Sequence, residues 1–314
     1  MKNLTLRQLR YFEALARHRH FRHAAEACGI SQPALSMQIK ELEQEVGTDL
    51  FERSARQVRL TQFGEEFSLR IRDILRAIDE LGDLARASGD KLMGRLRIGV
   101  IPTVAPYLLP TLLGNLARQY SGLDIHVRET QTPRLIQELQ EGRLDTAIVA
   151  LPVSEPALTE TPLFTESFVL VRPAADADKP VPAAEALREM RLLLLEEGHC
   201  FRDQALSFCN VDMRATPLRD FLEASSLSTL VQMVDAGIGV TLIPEMALAV
   251  ETRSASVCVA RFSDPQPSRT IGMVWRKTSP LAKQLLQMSE VIRHATGTLH
   301  GQHGANPPAA PGPT

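Results

Sequence analysis

The sequence predicts an α/β chain: a small helical head, one long helix, and an α/β body in two lobes. Three observations carry this. Residues 4–46 repeat apolar positions at helical spacing, broken by tight turns. Residues 67–85 repeat apolar positions at intervals of 4, 3, 4, 3 and 4. From residue 95 onward, buried-strand patterns alternate with helical ones.

In the head, Leu6, Leu9, Phe12, Leu15 and Ala16 recur at helical spacing, and Phe21, Ala24, Ala25 and Ala27 form a second short stripe ended by Cys28-Gly29. Gly29 can supply the left-handed conformation that closes a helix. Ser31 is a good N-cap, and Pro33 fits a first helical turn because its missing N–H would lack a partner there anyway. This helix continues through Ile39, Leu42 and Val46 to Gly47. Two helices joined by a tight turn, the second cleanly capped, form a helix-turn-helix pattern. The run 50–64 carries Arg53, Arg56 and Arg59 and alternates at Val58-Arg59-Leu60-Thr61, which predicts a small β-wing.

A long helix follows, from Thr61 to about Ala87. Phe67, Ile71, Ile74, Ile78, Leu81 and Ala85 make a heptad seam suited to a coiled-coil partner, so dimerisation is expected there. Packing of this helix on its own domain is the alternative. Ser88-Gly89-Asp90 then reads as a hinge.

In the body, strands are expected at 96–101, 123–129, 145–151, 167–172, 191–196, 240–243, 256–261 and 269–276. Helices are expected at 107–120, 133–141, near 183–190, near 200–209, and at 225–236 and 280–295. Such alternation predicts parallel sheets covered by helices. The expected divisions are 1–62 for the head and 63–90 for the long helix and hinge. The body spans 91–300, with lobe I at 91–165 plus 270–300 and lobe II at 166–269. The Gly/Pro/Ala-rich residues 301–314 have the composition of a disordered tail.

Net charge is −2, so no bulk basic field draws the chain to nucleic acid. The first 60 residues differ: ten Lys/Arg against seven Asp/Glu give +3. The N-terminal residues lack the continuous apolar core of a secretory signal, and no apolar run approaches a membrane span, so a cytoplasmic protein without membrane contact is expected. Four cysteines, at 28, 200, 209 and 258, do not form a structural disulfide framework in a reducing compartment.

If 31–46 is a recognition helix, its first residues reach base edges. Gln32 suits adenine, Pro33 suits a thymine methyl, and Ser31 and Ser36 suit bases or phosphates. Lys40, Arg53, Arg56 and Arg59 suit phosphates, or a minor groove from the wing.

Cys200 and Cys209 lie in a segment that reads as helix. Nine residues then put them on opposite faces and roughly 13.5 Å apart along the axis, whereas a disulfide needs Cα atoms about 4.4–6.8 Å apart. Joining them requires unwinding the helix, which suits a switch. Cys200 stands where that helix begins, and the helix end, His199 and Arg202 would favour its thiolate. The residues alone leave the pair open between a redox couple and two small buried hydrophobes. His199, Cys200 and Cys209 match no known metal spacing, and no metal or other cofactor is expected. Cys28 and Cys258 read as packing residues.

The run FRHAAEACGISQPALSMQIKELEQEVGTDLFERSARQVRLTQFG resembles the N-terminal domain of LysR-type transcriptional regulators almost position by position. The resemblance implies a winged helix-turn-helix on double-stranded promoter DNA and a long dimerising linker helix. It also implies a two-lobed regulatory domain like a periplasmic binding protein, and a homotetramer that contacts RNA polymerase.

EEGHCFRDQALSFC resembles the redox segment of the peroxide-sensing members of that family. So do IPTVAPYLLP, GRLDTAIVAL, SLSTLVQMVDAGIGVTLIP and RTIGMVW elsewhere in the body. That likeness implies a peroxidatic Cys200 and a resolving Cys209. It implies a hydrogen peroxide pocket lined by Thr103, Thr132, His199, Asp203 and Arg269, and control of oxidative-stress genes. A thiol reductant of glutaredoxin or thioredoxin type would reset it, so the chain is expected to be a regulator and not an enzyme. Two rivals remain: a regulator of the same family with inert cysteines and a small organic effector between its lobes, and a thiol peroxidase carrying a DNA-binding head.

Overall fold

The computed structural model describes residues 4–54, 57–87, 93–188, 190–209 and 222–302. The chain divides into two compact units, residues 1–85 and 86–314. Arg56, the proposed hinge at 88–90 and nearly all of the expected tail lie outside the described residues.

In the first unit, α1 (Leu6–His18) opens with a capping box in which Thr5 and Gln8 satisfy each other's backbone N–H groups. α2 (Phe21–Ala27) and α3 (Gln32–Val46) follow, joined through Gly29 at φ 66°. Ser31 caps α3 through the N–H of Ala34, and Gly47, at φ 79°, closes it. Phe12, Leu15, Ala24, Leu35, Ile39 and Leu42 build the core between these helices. β1 (Phe51–Ser54) and β2 (Gln57–Leu60) form the antiparallel wing. Glu43, buried in α3, anchors its start by accepting hydrogen bonds from Leu50 N (2.9 Å) and Phe51 N (3.2 Å).

α4 (Gln62–Ala87) is capped by Thr61, whose hydroxyl accepts from Gly64 N at 2.9 Å. Its expected seam divides in two. Ile71 is buried and Phe67 half-buried against Phe12 and the rest of the first unit's own core, so these two pack on their own domain. Ile74, Leu81 and Leu84 are exposed, and Ile78 is half-exposed. Of the seam positions, the uncovered ones lie from Ile74 onward, although Phe63 and Leu69 are exposed earlier on the helix.

The second unit has two cores served by one long strand. β3 (Gly94–Val100), β4 (Leu123–Glu129) and β5 (Thr146–Leu151) are parallel, with α5 (Ala105–Gln119) and α6 (Thr132–Gln140) as crossovers. β6 runs from Leu158 to Pro173. β7 (Leu192–Leu195), α7 (Cys200–Phe208), β8 (Leu222–Ala224), α8 (Leu227–Asp235), β9 (Val240–Pro244), α9 (Leu248–Glu251) and β10 (Val257–Arg261) form the second lobe. β11 (Ser268–Arg276) and α10 (Ala282–Gln302) return to the first.

The strand order is β4-β3-β5-β11-β6-β9-β7-β8, with β10 also on β6. The sheets are mixed, which corrects the all-parallel expectation. β11 is antiparallel to β5 and β6, and β6 is antiparallel to β9 and β10. The strand expected at 167–172 is only the second half of β6. Its first half pairs with β11 in lobe I, so the lobe boundary falls inside one continuous strand. The helix expected near 183–190 is a 3₁₀ turn at Ala184–Arg188. Among the described residues, no helix is long and apolar enough to cross a membrane.

Candidate functional site

Two surfaces carry the expected site residues, one in each unit. On α3, Leu35, Ile39 and Leu42 face the core, and Ser31, Gln32, Pro33, Ser36 and Lys40 are exposed on the other side. Met37, which the sequence reading passed over, is exposed on the same face. The 3.6-residue period alone forces this division. Arg53 belongs to β1, and Arg59 is exposed on β2 in register with Glu52.

In the second unit, Cys200 is the first residue of α7, whose N-cap position is His199. α7 turns Phe201, Arg202, Ala205, Leu206 and Cys209 into lobe II, a spacing of 1, 3, 1 and 3 that marks one helix face. Cys200 falls off that face and packs, half-buried, against the core of lobe I. The two thiols therefore belong to different cores. The nine-residue helix between them holds them about 13 Å apart along its axis, and no disulfide joins any of the four cysteines.

Beneath the first turn of α7 lies a buried polar cluster. The Arg269 guanidinium donates to Glu166 Oε1 (2.9 Å from Nε, 2.8 Å from Nη2), to the Thr103 hydroxyl (2.8 Å) and to the Thr103 carbonyl (3.0 Å). Both charged side chains are wholly buried. The other Glu166 oxygen accepts from Met246 N at 3.1 Å. The Phe201 ring lies 5.1 Å from the Arg269 guanidinium carbon, a cation–π contact that seats α7 on the cluster. Thr103 (before α5), Arg269 (β11), Glu166 (β6) and Met246 (after β9) are thus tied at the lobe seam. Tyr107 of α5 adds a second tie there. Its hydroxyl donates to Glu251 of α9 at 2.6 Å, and burial holds its ionisation well above the usual range.

The other flank is the start of α6. Gln131 Nε2 donates to the Glu197 carbonyl at 3.2 Å. Gly198 turns the chain at φ 93°, a conformation that favours glycine, and a Cβ there would stand 2.5 Å from Gln131 Oε1, so the Gln131 amide would have to shift. The next residue along α6, Thr132, has a buried hydroxyl oxygen with no hydrogen-bond partner. His199 is buried, which pushes its imidazole below the ordinary value, while Glu196 pulls the other way.

Of the expected pocket residues, Thr103 and Arg269 bond directly, Phe201 links them to Cys200, and Thr132 and His199 border the Gly198 turn. Asp203 does not join them: it is exposed on α7, three residues beyond Cys200. Arg202 is no thiolate partner either. Its guanidinium donates to the Leu195 carbonyl (2.8 Å) and to Glu223 (2.6 Å) inside lobe II. Sequence reasoning missed Glu166, Gln131 and Gly198. The glycine beside His199-Cys200 was the only one of the three with a visible signal.

Cys28 packs half-buried in the helical head, where burial raises its thiol above the ordinary value. Cys258, on β10, accepts a hydrogen bond from Arg172 Nε at 3.3 Å and donates to the Pro173 carbonyl. Among the described residues, no cluster of His, Cys, Asp and Glu could hold a metal ion.

Residues 6–65 match the family model of bacterial regulatory helix-turn-helix proteins of the lysR family, and residues 89–297 match the LysR substrate binding domain. The chain is 44% identical over 295 residues to a protein of Streptomyces viridosporus named probable hydrogen peroxide-inducible genes activator. That match covers 93% of this chain and 94% of the relative. It is 42% identical over 296 residues to the Escherichia coli DNA-binding transcriptional dual regulator OxyR, covering 92% and 95%. Among solved structures, a full-length OxyR of Pseudomonas aeruginosa with a cysteine replaced by aspartate aligns at TM-score 0.72 and 36% identity, covering 93% and 96%. A cysteine-to-serine OxyR of Corynebacterium glutamicum, bound to hydrogen peroxide, aligns at 0.65 and 35% identity, covering 97% of each chain.

Proposed function

Because the chain belongs to the LysR family of DNA-binding transcriptional regulators, we propose that it senses hydrogen peroxide through Cys200 and answers by forming a Cys200–Cys209 disulfide. The observation that carries this is the position of Cys200: a half-buried thiol at a helix start, on the lobe seam, next to Phe201, whose ring packs on Arg269 of the Thr103–Arg269–Glu166 cluster. The unpartnered Thr132 hydroxyl nearby is a polar group suited to hold a small ligand. The relatives' names point the same way.

In the reaction, the Cys200 thiolate attacks one peroxide oxygen. An S–O bond forms, the O–O bond breaks, and the departing hydroxide takes a proton and leaves as water. Hydroxyl groups orient the peroxide, and the Arg269 charge, although shared with Glu166, favours negative charge on the thiolate and the leaving oxygen. Cys209 then attacks the sulfenic acid and water leaves again.

Since Cys200 packs on lobe I and Cys209 inside lobe II, closing this bond must unwind α7 and withdraw each sulfur from its packing. The short loop restrains the chain by about 2.5–3 kcal/mol in the entropic picture, comparable to the roughly 1–3 kcal/mol of ordinary allosteric coupling. The rearranged lobes would change how a homotetramer spans promoter DNA and meets RNA polymerase, switching on oxidative-stress genes in the cytoplasm. A glutaredoxin- or thioredoxin-type thiol would reset it. Each activation uses one peroxide, so the chain acts as a regulator and not as a turnover enzyme.

The test is mass spectrometry of non-reduced full-length protein before and after micromolar peroxide, beside Cys200→Ser. The expected result is a Cys200–Cys209 bond in the native chain, and in the variant intact DNA binding with no peroxide response. A variant that still switches, or no disulfide together with a response to a metabolite, would overturn the reading.

A further inference from the structure

We propose that Gln204 receives a hydrogen bond from the sulfenic acid formed at Cys200, and so sets how long that intermediate survives before the disulfide closes. The inference rests on the peroxide reading above and adds a positioning residue to it.

Gln204 lies four residues after Cys200 in α7. Residues so spaced share a helix face with Cβ atoms about 5–6 Å apart, and helical side chains lean toward the N-terminus. Gln204 therefore leans over the turn that carries the thiol. Both residues lie beside the face that α7 buries in lobe II, and both are half-buried. The Gln204 Oε1 atom is buried and accepts no hydrogen bond. A buried carbonyl without a donor is destabilising, so this oxygen is an acceptor waiting for one. Its neighbours on the helix do not supply it: Arg202 is committed to Leu195 and Glu223, and Asp203 and Ser207 face solvent.

In the reduced protein Cys200 offers only a thiol S–H, a weak donor. Peroxide changes this. When the thiolate sulfur takes one oxygen and gives up two electrons, hydroxide departs as water and Cys200 carries an S–O–H group, a good donor that did not exist before. Donation to Gln204 draws the proton from that oxygen. The oxygen becomes more anionic and a poorer leaving group, and the sulfur becomes less electrophilic. Attack by Cys209, which expels this oxygen as water, is slowed until α7 unwinds and separates the pair. The same helix that holds Cys209 away would thus also protect the intermediate.

The experiment uses the full chain with Cys209→Ser, so that the sulfenic acid is not consumed, and compares Gln204 with Gln204→Met, which keeps the length and removes the amide. Two rates are read by mass spectrometry: alkylation of reduced Cys200 by iodoacetamide, and capture of the peroxide-treated protein by dimedone. The expected result is an unchanged alkylation rate and dimedone capture about fivefold faster, the loss of one ordinary hydrogen bond. Gln204→Glu, which keeps an acceptor oxygen, should return capture to the slow rate.

Equal capture rates in Gln204 and Gln204→Met would overturn the proposal. So would a parallel rise in alkylation, which would mark a merely looser helix. If the Met variant does not fold, capture by Gln204→Glu decides, and a fast rate there counts against the acceptor role. Absence of any dimedone adduct with Gln204 intact would instead sink the peroxide reading, and this inference with it.

Discussion

Replacing Arg269 by Met tests the physical core of the site. Arg269 and Glu166 are wholly buried, so solvent does not screen their interaction. The substitution removes the guanidinium donors from Glu166 Oε1 and from both Thr103 oxygens, leaving the carboxylate with only the Met246 N–H at 3.1 Å. Breaking a buried pair on one side costs about 3–5 kcal/mol, because a buried charge is left uncompensated. For a unit of this size that is a fall in Tm of roughly 10 °C.

The chain's only tryptophan, Trp275, is buried in β11, the same strand as Arg269. Its fluorescence follows unfolding of the second unit in urea or heat without interference from the first. Arg269→Met with Glu166→Met should recover most of the loss, since removing both charges leaves no orphan. A single variant within about 1 kcal/mol of the native chain would refute the reasoning. So would a double variant no better than the single one: it would mean that the cluster's weight lies in packing and not in charge.

Gly198→Ala should cost about 1–3 kcal/mol and slow oxidation of Cys200, because it forces a side chain into positive φ and onto Gln131; unchanged Tm and oxidation rate would contradict this. Burial lowers His199 below its unfolded value of about 6.5. The unfolded chain therefore binds more protons below that pH. The stability that the native histidine retains at higher pH should fall as pH drops through about 6.5 toward its lower folded value. Melting curves from pH 8 to 5 should be flatter for His199→Gln than for the native chain, and parallel curves would be evidence against it. Ile74→Asp, on the exposed stretch of α4, should lower the assembly mass by light scattering; an unchanged mass would rule out a partner helix there.

The helical head was legible because its determinants are local. The Ser31 cap, the turn at Gly29 and the stop at Gly47 each act within four residues, and the 3.6-residue period then exposes Gln32, Ser36 and Lys40 together. The separation of Cys200 from Cys209 was legible for the same reason, as a count along one helix. The α4 seam was legible as a pattern but not as an address. Phe67 and Ile71 satisfy a heptad equally well whether they meet a second chain or their own core, and only the packing against Phe12 decides.

The α/β body could be placed in its class by alternation, but strand direction could not, because antiparallel β11 reads like any other buried strand. The site lay further out of reach. Arg269 meets Glu166 across 103 residues and Thr103 across 166. Nothing near Glu166 in sequence marks it as the counter-charge, and Asp203, one turn from Cys200, would fit a pocket by proximity yet points to solvent. Sequence by itself determined most of the helices, the Ser31 cap and the spacing of the thiols, since these depend on neighbours along the chain. Tertiary structure decided which charges are buried together and which core each sulfur belongs to, since burial is a property of the closed sheet and not of any segment of it.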